Sequence, residues 1–212
     1  MLIARDGQLA YAKSFGWQDR EKNIPMRNDS IFRLYSMTKP VVSVAAMMLV
    51  EEGRLGLQEP VSKYIPEFKE MKVAVESYDP KTGAASVALV PAKRQITVQD
   101  LLRHTSGMTY GVLGDKAAVK EMYKQAGVGS LEQLYKGGFT NESFAKAIAK
   151  IPLRYEPGST WEYGHSTDVL GRVLEVVAKQ PLDLSEGEPF LGETTDLTKA
   201  FDVIVAAPAH PS

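Results

Sequence analysis

The feature that most constrains the fold is an almost wholly apolar run at residues 41–50, in which Ser43 is the one polar residue. The run is too short to span a bilayer, which takes about 20 apolar residues. Pro40 suits the first turn of a helix, and Gly53 suits its C-terminal cap. Valines also suit a strand, but the length of the run and the glycine stop favour a helix. A helix that is apolar on nearly all faces has to be buried by the rest of the fold.

Composition limits the chemistry open to the chain. Its 212 residues predict one domain, or two lobes that share a core. The 25 Lys and Arg nearly balance the 26 Asp and Glu, so no basic surface for nucleic acid is indicated. The absence of Cys excludes disulfides, thiolate catalysis and Cys-ligated zinc. His104, His165 and His210 lie far apart in the sequence and show no metal-ligand spacing.

Turn residues and hydrophobic periodicity predict strands first, helices in the middle and little sheet at the end. Asp6-Gly7 between two apolar runs predicts a β-hairpin, because both central turn positions favour positive φ. Thr97 begins a capping box for a short helix, and residues 167–179 show an amphipathic helical pattern. The remaining predictions are an extended segment at 31–35, strands at 71–77 and 86–90 around a turn, helices at 115–126, 130–136 and 140–150, and a strand at 201–205.

The sharpest candidate for chemistry is Ser36-Met37-Thr38-Lys39, immediately before the apolar run. A serine hydroxyl is a weak nucleophile until a base removes its proton. Residues i and i+3 share one face of a helix, so the spacing brings the Lys39 amine within reach of Ser36, which also faces the positive end of the helix dipole. A lysine acts as a base only when its pKa is lowered toward roughly 7–8. A capping serine with a surface lysine is the alternative that the residues alone leave open.

Two other features bear on this chemistry. A second pattern of the same kind, Ser143-Phe144-Ala145-Lys146, lies in a predicted amphipathic helix, and we interpret it as a solvated face. Chance alone predicts about one such pattern in this composition.

Tyr163 lies in an aromatic, glycine-containing turn before a helix, a suitable place to project a phenol into a cleft. A core tyrosine with a satisfied hydroxyl is the alternative for Tyr163.

Three motifs occur in order along the chain: Ser36-Met37-Thr38-Lys39, then LLRHTSGM at 101–108, then a segment at 157–171 that contains WEYGHS. Together they resemble the serine beta-lactamase-related superfamily of class C beta-lactamases, DD-peptidases and family VIII carboxylesterases. The joint occurrence is far more specific than any single motif. The resemblance implies a beta-lactamase/transpeptidase-like fold of the α/β (α+β) class, with an antiparallel sheet and a helical lobe. It also implies an incomplete hydrolase region at 1–180 and a divergent tail at 181–212.

The resemblance further implies a mechanism that needs neither a metal nor an organic cofactor. In that mechanism Ser36 is the acylated nucleophile and Lys39 is its base partner. Tyr163 relays the proton to or from the leaving group, and water then hydrolyses the acyl-enzyme. The backbone N–H of Ser36 supplies one half of the oxyanion hole.

Two departures from the superfamily pattern affect the expected activity. Class C beta-lactamases and DD-peptidases have Asn two residues after the tyrosine, where this chain has His165. We interpret His165 as a substrate-binding residue that favours esters, with a helix-start residue without catalytic duty as the alternative. The family's late strand with K-T-G or H-x-G has no match after Lys179, and Lys81-Thr82-Gly83 is interpreted as a turn. The chain therefore resembles a truncated member with weak or absent turnover by itself, since losing one oxyanion donor costs on the order of 100- to 1000-fold in rate.

Three functions stay open from the sequence. The first is a serine hydrolase that cleaves small esters through a Ser36 acyl-enzyme, the second a beta-lactamase or DD-peptidase-like amide hydrolase, and the third an inactive fragment that acts as a binding module. The expected partners are a small-molecule ester or amide and a second copy of the chain that covers an exposed sheet edge, with no nucleic acid and no membrane span. Arg5 and Asp6 interrupt the N-terminus, so no signal peptide is readable and the default expectation is the cytoplasm.

Overall fold

The computed structural model of the protein describes residues 1–30, 32, 35–78, 81, 85–111, 117–130 and 138–182. These residues divide into two compact units, Met1–Val41 and a second that begins at Val42. They combine helices with three two-stranded antiparallel sheets, which confirms the α+β class. No helix within these ranges is long and apolar enough to cross a membrane.

The first unit begins with the predicted hairpin. Strand β1 (Leu2–Arg5) pairs antiparallel with strand β2 (Gln8–Ala12). The two turn residues, Asp6 and Gly7, have φ angles of 52° and 72°. The Asp-Gly signal is therefore confirmed, and for the reason that predicted it, since both turn positions adopt positive φ.

The rest of the first unit is short and irregular. Strands β3 (Trp17–Asp19) and β4 (Ile24–Pro25) form a second antiparallel pair. The extended segment predicted at 31–35 lies mostly outside the described residues, but its last residue, Tyr35, begins a 3-10 turn instead of a strand. No described residue between positions 1 and 41 is buried, so this unit has no core of its own among the described residues.

Helix α1 spans Thr38–Glu51, as the apolar run predicted. Gly53 has a φ of 69°, and its N–H donates to the carbonyl of Val50 at 3.0 Å, so the glycine ends the helix. The prediction that nearly all faces are buried is wrong for the described residues, since Met47 is 41% exposed. The buried residues follow the spacing i, i+3, i+4, i+7 and form one stripe, which is how an amphipathic helix packs: Val42, Ala45, Ala46 and Leu49.

The second unit contains the predicted sheet of two longer strands. Strand β5 (Lys72–Tyr78) pairs with β6 (Ala85–Pro91) over seven residue pairs. This confirms the strands predicted at 71–77 and 86–90. The turn between the two strands lies outside the described residues, except for Lys81. The strand predicted at 201–205 also lies outside them, and so does the helix predicted at 130–136 apart from Ser130.

Four further helices belong to the second unit: α2 (Val98–Arg103), α3 (Ala117–Gln125), α4 (Asn141–Ile148) and α5 (Ser166–Ala178). They confirm the short helix predicted after Thr97 and, wherever these are described, the helices predicted at 115–126, 140–150 and 167–179. Helix α5 packs against α2 and α4. Its apolar stripe is fully buried and is the centre of the core: Val169, Leu170, Val173 and Leu174. Burying one such side chain stabilises the fold by about 1.5–3 kcal/mol.

Helix α2 is fixed at its N-terminus by a network around Asp100. The backbone N–H of Asp100 donates to the Thr97 hydroxyl at 3.2 Å, and the Thr97 N–H donates back to the Asp100 carboxylate at 2.9 Å. Arg94 donates two hydrogen bonds to that carboxylate, at 2.6 and 2.9 Å, and the Thr105 hydroxyl donates another at 2.9 Å. Burial opposes charge on Asp100, but these hydrogen bonds outweigh it and hold its pKa below the ordinary value.

Candidate active site

Ser36 and Lys39 lie where a 3-10 turn runs into α1. Ser36 is the exposed middle residue of the turn Tyr35–Met37, and Lys39 is the half-buried second residue of α1. Tyr35 has a φ of 48°, in the left-handed region, where an L-residue with a side chain pays roughly 1–2 kcal/mol. Strained residues of this kind cluster at functional sites, so the turn that presents Ser36 is a candidate for chemistry on its own geometry.

The second S-x-x-K pattern, Ser143 to Lys146, has a structural explanation. Ser143 forms a capping box with Thr140: the Ser143 N–H donates to the Thr140 hydroxyl at 3.1 Å, and the Thr140 N–H donates to the Ser143 hydroxyl at 2.9 Å. Lys146 donates to the Glu142 carboxylate at 2.6 Å, and this hydrogen bond raises the pKa of the lysine. A lysine held charged is no base, and Ser143 and Lys146 are both exposed, so the interpretation as a solvated face is confirmed.

Tyr163 lies in the second unit, on the loop that precedes α5. The side chain is half-buried among three other rings. Its ring centroid lies 5.0 Å from that of His104, 5.4 Å from that of Tyr110 and 6.1 Å from that of Trp161. Trp161 is 63% exposed, so the cluster reaches the surface at that ring. Tyr163 is thus held by ring packing and has a route to solvent.

His165 is buried at the start of α5, with an exposed fraction of 1%. Its Nδ1 lies 3.0 Å from the Asp168 carboxylate, one turn further along the helix. The rings of Tyr110 and Phe144 meet it edge-on, at centroid distances of 4.6 and 5.0 Å. Within the described part of the chain its Nε2 is buried without a hydrogen-bond partner. This burial favours the helix-start alternative, and substrate contact by His165 stays a prediction.

A second tyrosine, Tyr123, packs against His165 and is buried. Tyr123 stacks on His165 at 6.0 Å between centroids, and its phenol oxygen accepts the Thr109 N–H at 3.2 Å. Burial raises the pKa of the Tyr123 phenol. Tyr123 therefore has the surroundings of a satisfied core tyrosine, whereas Tyr163 is only half-buried and its role stays a prediction.

Backbone hydrogen bonds hold the Tyr163 loop against the turn that follows α2. The Glu162 N–H donates to the His104 carbonyl at 2.9 Å, and the Gly158 N–H donates to the Thr105 carbonyl at 2.7 Å. A Cβ on Gly164 would lie 2.6 Å from the Cα of Thr109, so only glycine allows this approach. The HTSG and YGHS motifs are therefore neighbours in space.

Sequence reasoning missed two residues of this cluster. Tyr110 contacts both Tyr163 and His165, and Asp168 holds the histidine. The i, i+3 spacing of His165 and Asp168 at a helix start is a signal that was available. Nothing in the sequence marks Tyr110, because its partners lie more than 50 positions away.

Metal ligation has no candidate in the part of the chain that the structure describes, where no group of three or more His, Asp or Glu side chains is placed to hold an ion. Ser36 and Lys39 belong to the first unit, and Tyr163 and His165 belong to the second. The convergence of all three catalytic candidates stays a prediction.

A protein-family model described as Beta-lactamase matches residues 1–192. Esterase EstB from Burkholderia gladioli is 36% identical over 181 residues, which make up 85% of this chain and 41% of the esterase. The chain thus spans about two fifths of the length of this curated relative. Monacolin J acid methylbutanoyltransferase from Aspergillus terreus is 29% identical and matches 82% of this chain and 40% of its own length.

Solved structures give the same pattern. EstCE1, a hydrolase with promiscuous acyltransferase activity, superposes with a TM-score of 0.65 at 33% identity, covering 85% of this chain and 42% of its own. Unliganded simvastatin synthase (LovD) from Aspergillus terreus gives a TM-score of 0.63 at 28% identity, covering 85% of this chain and 44% of its own. These matches confirm the beta-lactamase/transpeptidase-like fold class.

Proposed function

Since the chain belongs to the beta-lactamase family, we propose that it is a serine hydrolase that cleaves small esters through an acyl-enzyme on Ser36. The observation that carries this proposal is the placement of Ser36 and Lys39 at the start of α1, directly after the left-handed Tyr35. A serine at that position lies at the positive end of the helix dipole, where negative charge on its oxygen is favoured. The similarity to esterase EstB supports an ester as substrate.

The first half of the reaction transfers the acyl group to Ser36. Neutral Lys39 accepts the hydroxyl proton while Oγ attacks the ester carbonyl carbon, and the carbonyl electron pair moves onto its oxygen. The Ser36 N–H stabilises that oxyanion. When the carbonyl re-forms, the bond to the alcohol breaks, and the proton passes through Tyr163 to the departing oxygen.

The second half returns Ser36 to its starting state. A water molecule loses a proton to the Lys39 and Tyr163 pair as its oxygen attacks the acyl carbon, and Ser36 leaves and regains its proton. The same acyl-enzyme transfers its acyl group to an alcohol when an alcohol attacks in place of water. The acyltransferases among the similar proteins favour this transfer as a second activity.

Hydrolysis of amides and lactams is the less favoured alternative. His165 stands where the lactam-cleaving branches have an amide, and its side chain is buried under Tyr110 and Phe144. A buried imidazole is poorly placed to bind a substrate amide. We therefore expect short-chain p-nitrophenyl esters to be better substrates than nitrocefin.

Covalent labelling with a fluorophosphonate tests the proposal, because it reports an activated serine without requiring turnover. Mass spectrometry of the labelled protein is expected to place the probe on Ser36 and nowhere else. Ser36→Ala is expected to abolish labelling, and Lys39→Ala to slow it by about 100-fold, within the range of general base catalysis.

The chain supplies its own matched control in the second S-x-x-K pattern. Ser143→Ala and Lys146→Ala are expected to leave the labelling rate unchanged, because Ser143 caps α4 and Lys146 is paired with Glu142. Labelling at Ser143, or labelling that survives Ser36→Ala, would refute the proposal.

A further inference from the structure

The outer edge of β6 is unpaired within the described residues. On the other side of the hairpin, Leu153 covers β5: the Ala74 N–H donates to the Leu153 carbonyl at 2.8 Å, and the Leu153 N–H donates to the Lys72 carbonyl at 2.7 Å. No described residue makes the equivalent bonds to β6. Most of β6 is exposed, including Leu89 at 45% and Val90 at 36%.

The hydrogen-bond pattern shows which backbone groups of β6 face outward. The Ala92 N–H donates to the Met71 carbonyl at 2.9 Å, so the position just beyond β6 bonds toward the β5 side. Residues of an antiparallel strand alternate between the two sides. The N–H and C=O groups of Val87 and Leu89 therefore point away from β5 and are available to another strand.

Natural edge strands are usually blunted by a charge, a proline or a bulge. Strand β6 carries no charged residue, its register with β5 is unbroken, and its proline, Pro91, is its last residue. Since such an edge invites strand addition, β6 is a suitable template for an extended partner.

A cleft of about 550 Å³ lies at the open end of the same hairpin, lined by residues 69–72 and 91–95. Its cationic side chains are Lys69, Lys72, Lys93 and Arg94, and Glu70 is its one acidic lining residue. Arg94 is paired with Asp100. Among the described residues none of the three lysines lies in an ion pair, and all three are exposed. Glu156 adds a second carboxylate beside the cleft, where it accepts the Lys93 N–H at 3.0 Å. Three lysines against two carboxylates leave a net positive charge beside the end of β6.

We propose that β6 accepts an extended peptide segment of another protein as an added antiparallel strand, with acidic residues at the N-terminal end of that segment. An antiparallel strand begins where β6 ends, at Pro91, so its first residues lie beside the cleft. Carboxylates there meet Lys72 and Lys93, and uncharged residues farther along pair with Val87 and Leu89. This proposal does not depend on the proposed hydrolysis.

Charge decides against a second copy of the chain as the occupant. Two copies paired antiparallel about Ala88 would set Ala85 and Ser86 of each opposite Pro91 and Val90 of the other. Ala85 and Ser86 are uncharged, so a second copy brings no carboxylate to the lysines of the cleft, and nothing in it complements their charge. An acidic partner has the complementary charge.

Binding of synthetic peptides tests the proposal. The probe is a fluorescein-labelled peptide of three glutamates followed by Val-Thr-Val-Thr-Val, titrated with the chain and followed by fluorescence anisotropy. It is expected to bind at least about tenfold more tightly than either of two control peptides. One control has three lysines in place of the glutamates, and the other has the glutamates at its C-terminal end. Leu89→Pro removes an outward N–H that the hairpin does not use, and about a tenfold loss of binding is expected.

Charge variants keep the test independent of whether Leu89→Pro folds. Lys72→Glu with Lys93→Glu is expected to weaken binding of the acidic peptide about tenfold, and Lys120→Glu, an exposed lysine on α3 outside the cleft, is the matched control without effect. Absence of binding, equal binding of the three peptides, or binding insensitive to both sets of variants would overturn the proposal. The chain has no Cys, so a disulfide-linked dimer of Ala88→Cys would assign the edge to a second copy and overturn it as well.

Discussion

The two compact units hold their candidate catalytic residues in different ways. In Met1–Val41 no described residue is buried, and Ser36 takes its place from the 3-10 turn and the start of α1. In the second unit Tyr163 lies on a loop that is bonded to the turn after α2 and packed among rings. One residue is thus placed by secondary structure and the other by tertiary packing. The two kinds of placement respond to different mutations, which makes the contrast testable.

The largest effect on the free energy of unfolding is expected in the core around α5, the helix that follows the Tyr163 loop. Leu174 on α5 is fully buried, so Leu174→Ala loses transfer energy and leaves a cavity. We expect the free energy of unfolding to fall by about 2–5 kcal/mol, measured by urea denaturation. A loss below about 1 kcal/mol would show that α5 is not the centre of the core. The two units would then no longer differ in their dependence on buried packing.

The next effect concerns Asp100, which fixes the turn that the Tyr163 loop is bonded to. Asp100→Ala leaves donors of Arg94, Thr97 and Thr105 without their acceptor, and we expect a loss of about 2–3 kcal/mol in urea denaturation at pH 7.

Asp100 also predicts a pH dependence. Its pKa is lowered in the folded protein, so its stabilisation is complete above the ordinary carboxyl pKa of about 3.9 and is lost as the pH falls below that value. Unfolding curves at pH 6 and pH 3 are expected to differ less for Asp100→Asn than for the unmodified protein. An equal difference in the two proteins would contradict this assignment.

A smaller effect is expected at the cap of α4. Thr140→Ala removes the hydroxyl that accepts the Ser143 N–H, and we expect a loss of about 1 kcal/mol. Thermal unfolding measures it, and Thr140→Ser, which keeps a capping hydroxyl, is the control. If Thr140→Ser is as destabilised as Thr140→Ala, the cap is not the cause.

The smallest effect is expected in the first unit. Leu9 on β2 is 61% exposed, so Leu9→Ala is expected to change the free energy of unfolding by no more than about 0.5 kcal/mol. A loss comparable to that of Leu174→Ala would show that both units depend on buried packing, and the comparison between them would fail.

Local sequence signals predicted most elements of the fold. The Asp6-Gly7 turn, the Gly53 stop and the Thr97 cap each act within a few residues, and each appears where its chemistry requires it. The burial of α1 was overestimated, because composition says which residues are apolar but not how many neighbours surround them. Met47 is apolar and nevertheless 41% exposed.

The candidate site was predictable only where its residues are close in sequence. The spacing of Ser36 and Lys39 on one helix follows from the 3.6-residue period. Two of the rings around Tyr163 come from the distant segment that follows α2, so no local pattern reports Tyr110 or His104 as its neighbours. His165 illustrates the same point, since its burial follows from Phe144 and Tyr110, which lie 21 and 55 positions before it.

The close approach at Gly164 limits how this molecule can be diversified. Any side chain there would strike the main chain of Thr109, so nearly every member of a saturation library at that codon is expected to be lost to misfolding. Its neighbour Trp161 is 63% exposed and meets no such obstacle. A mutagenesis programme on this loop should therefore randomise position 161 and leave position 164 untouched.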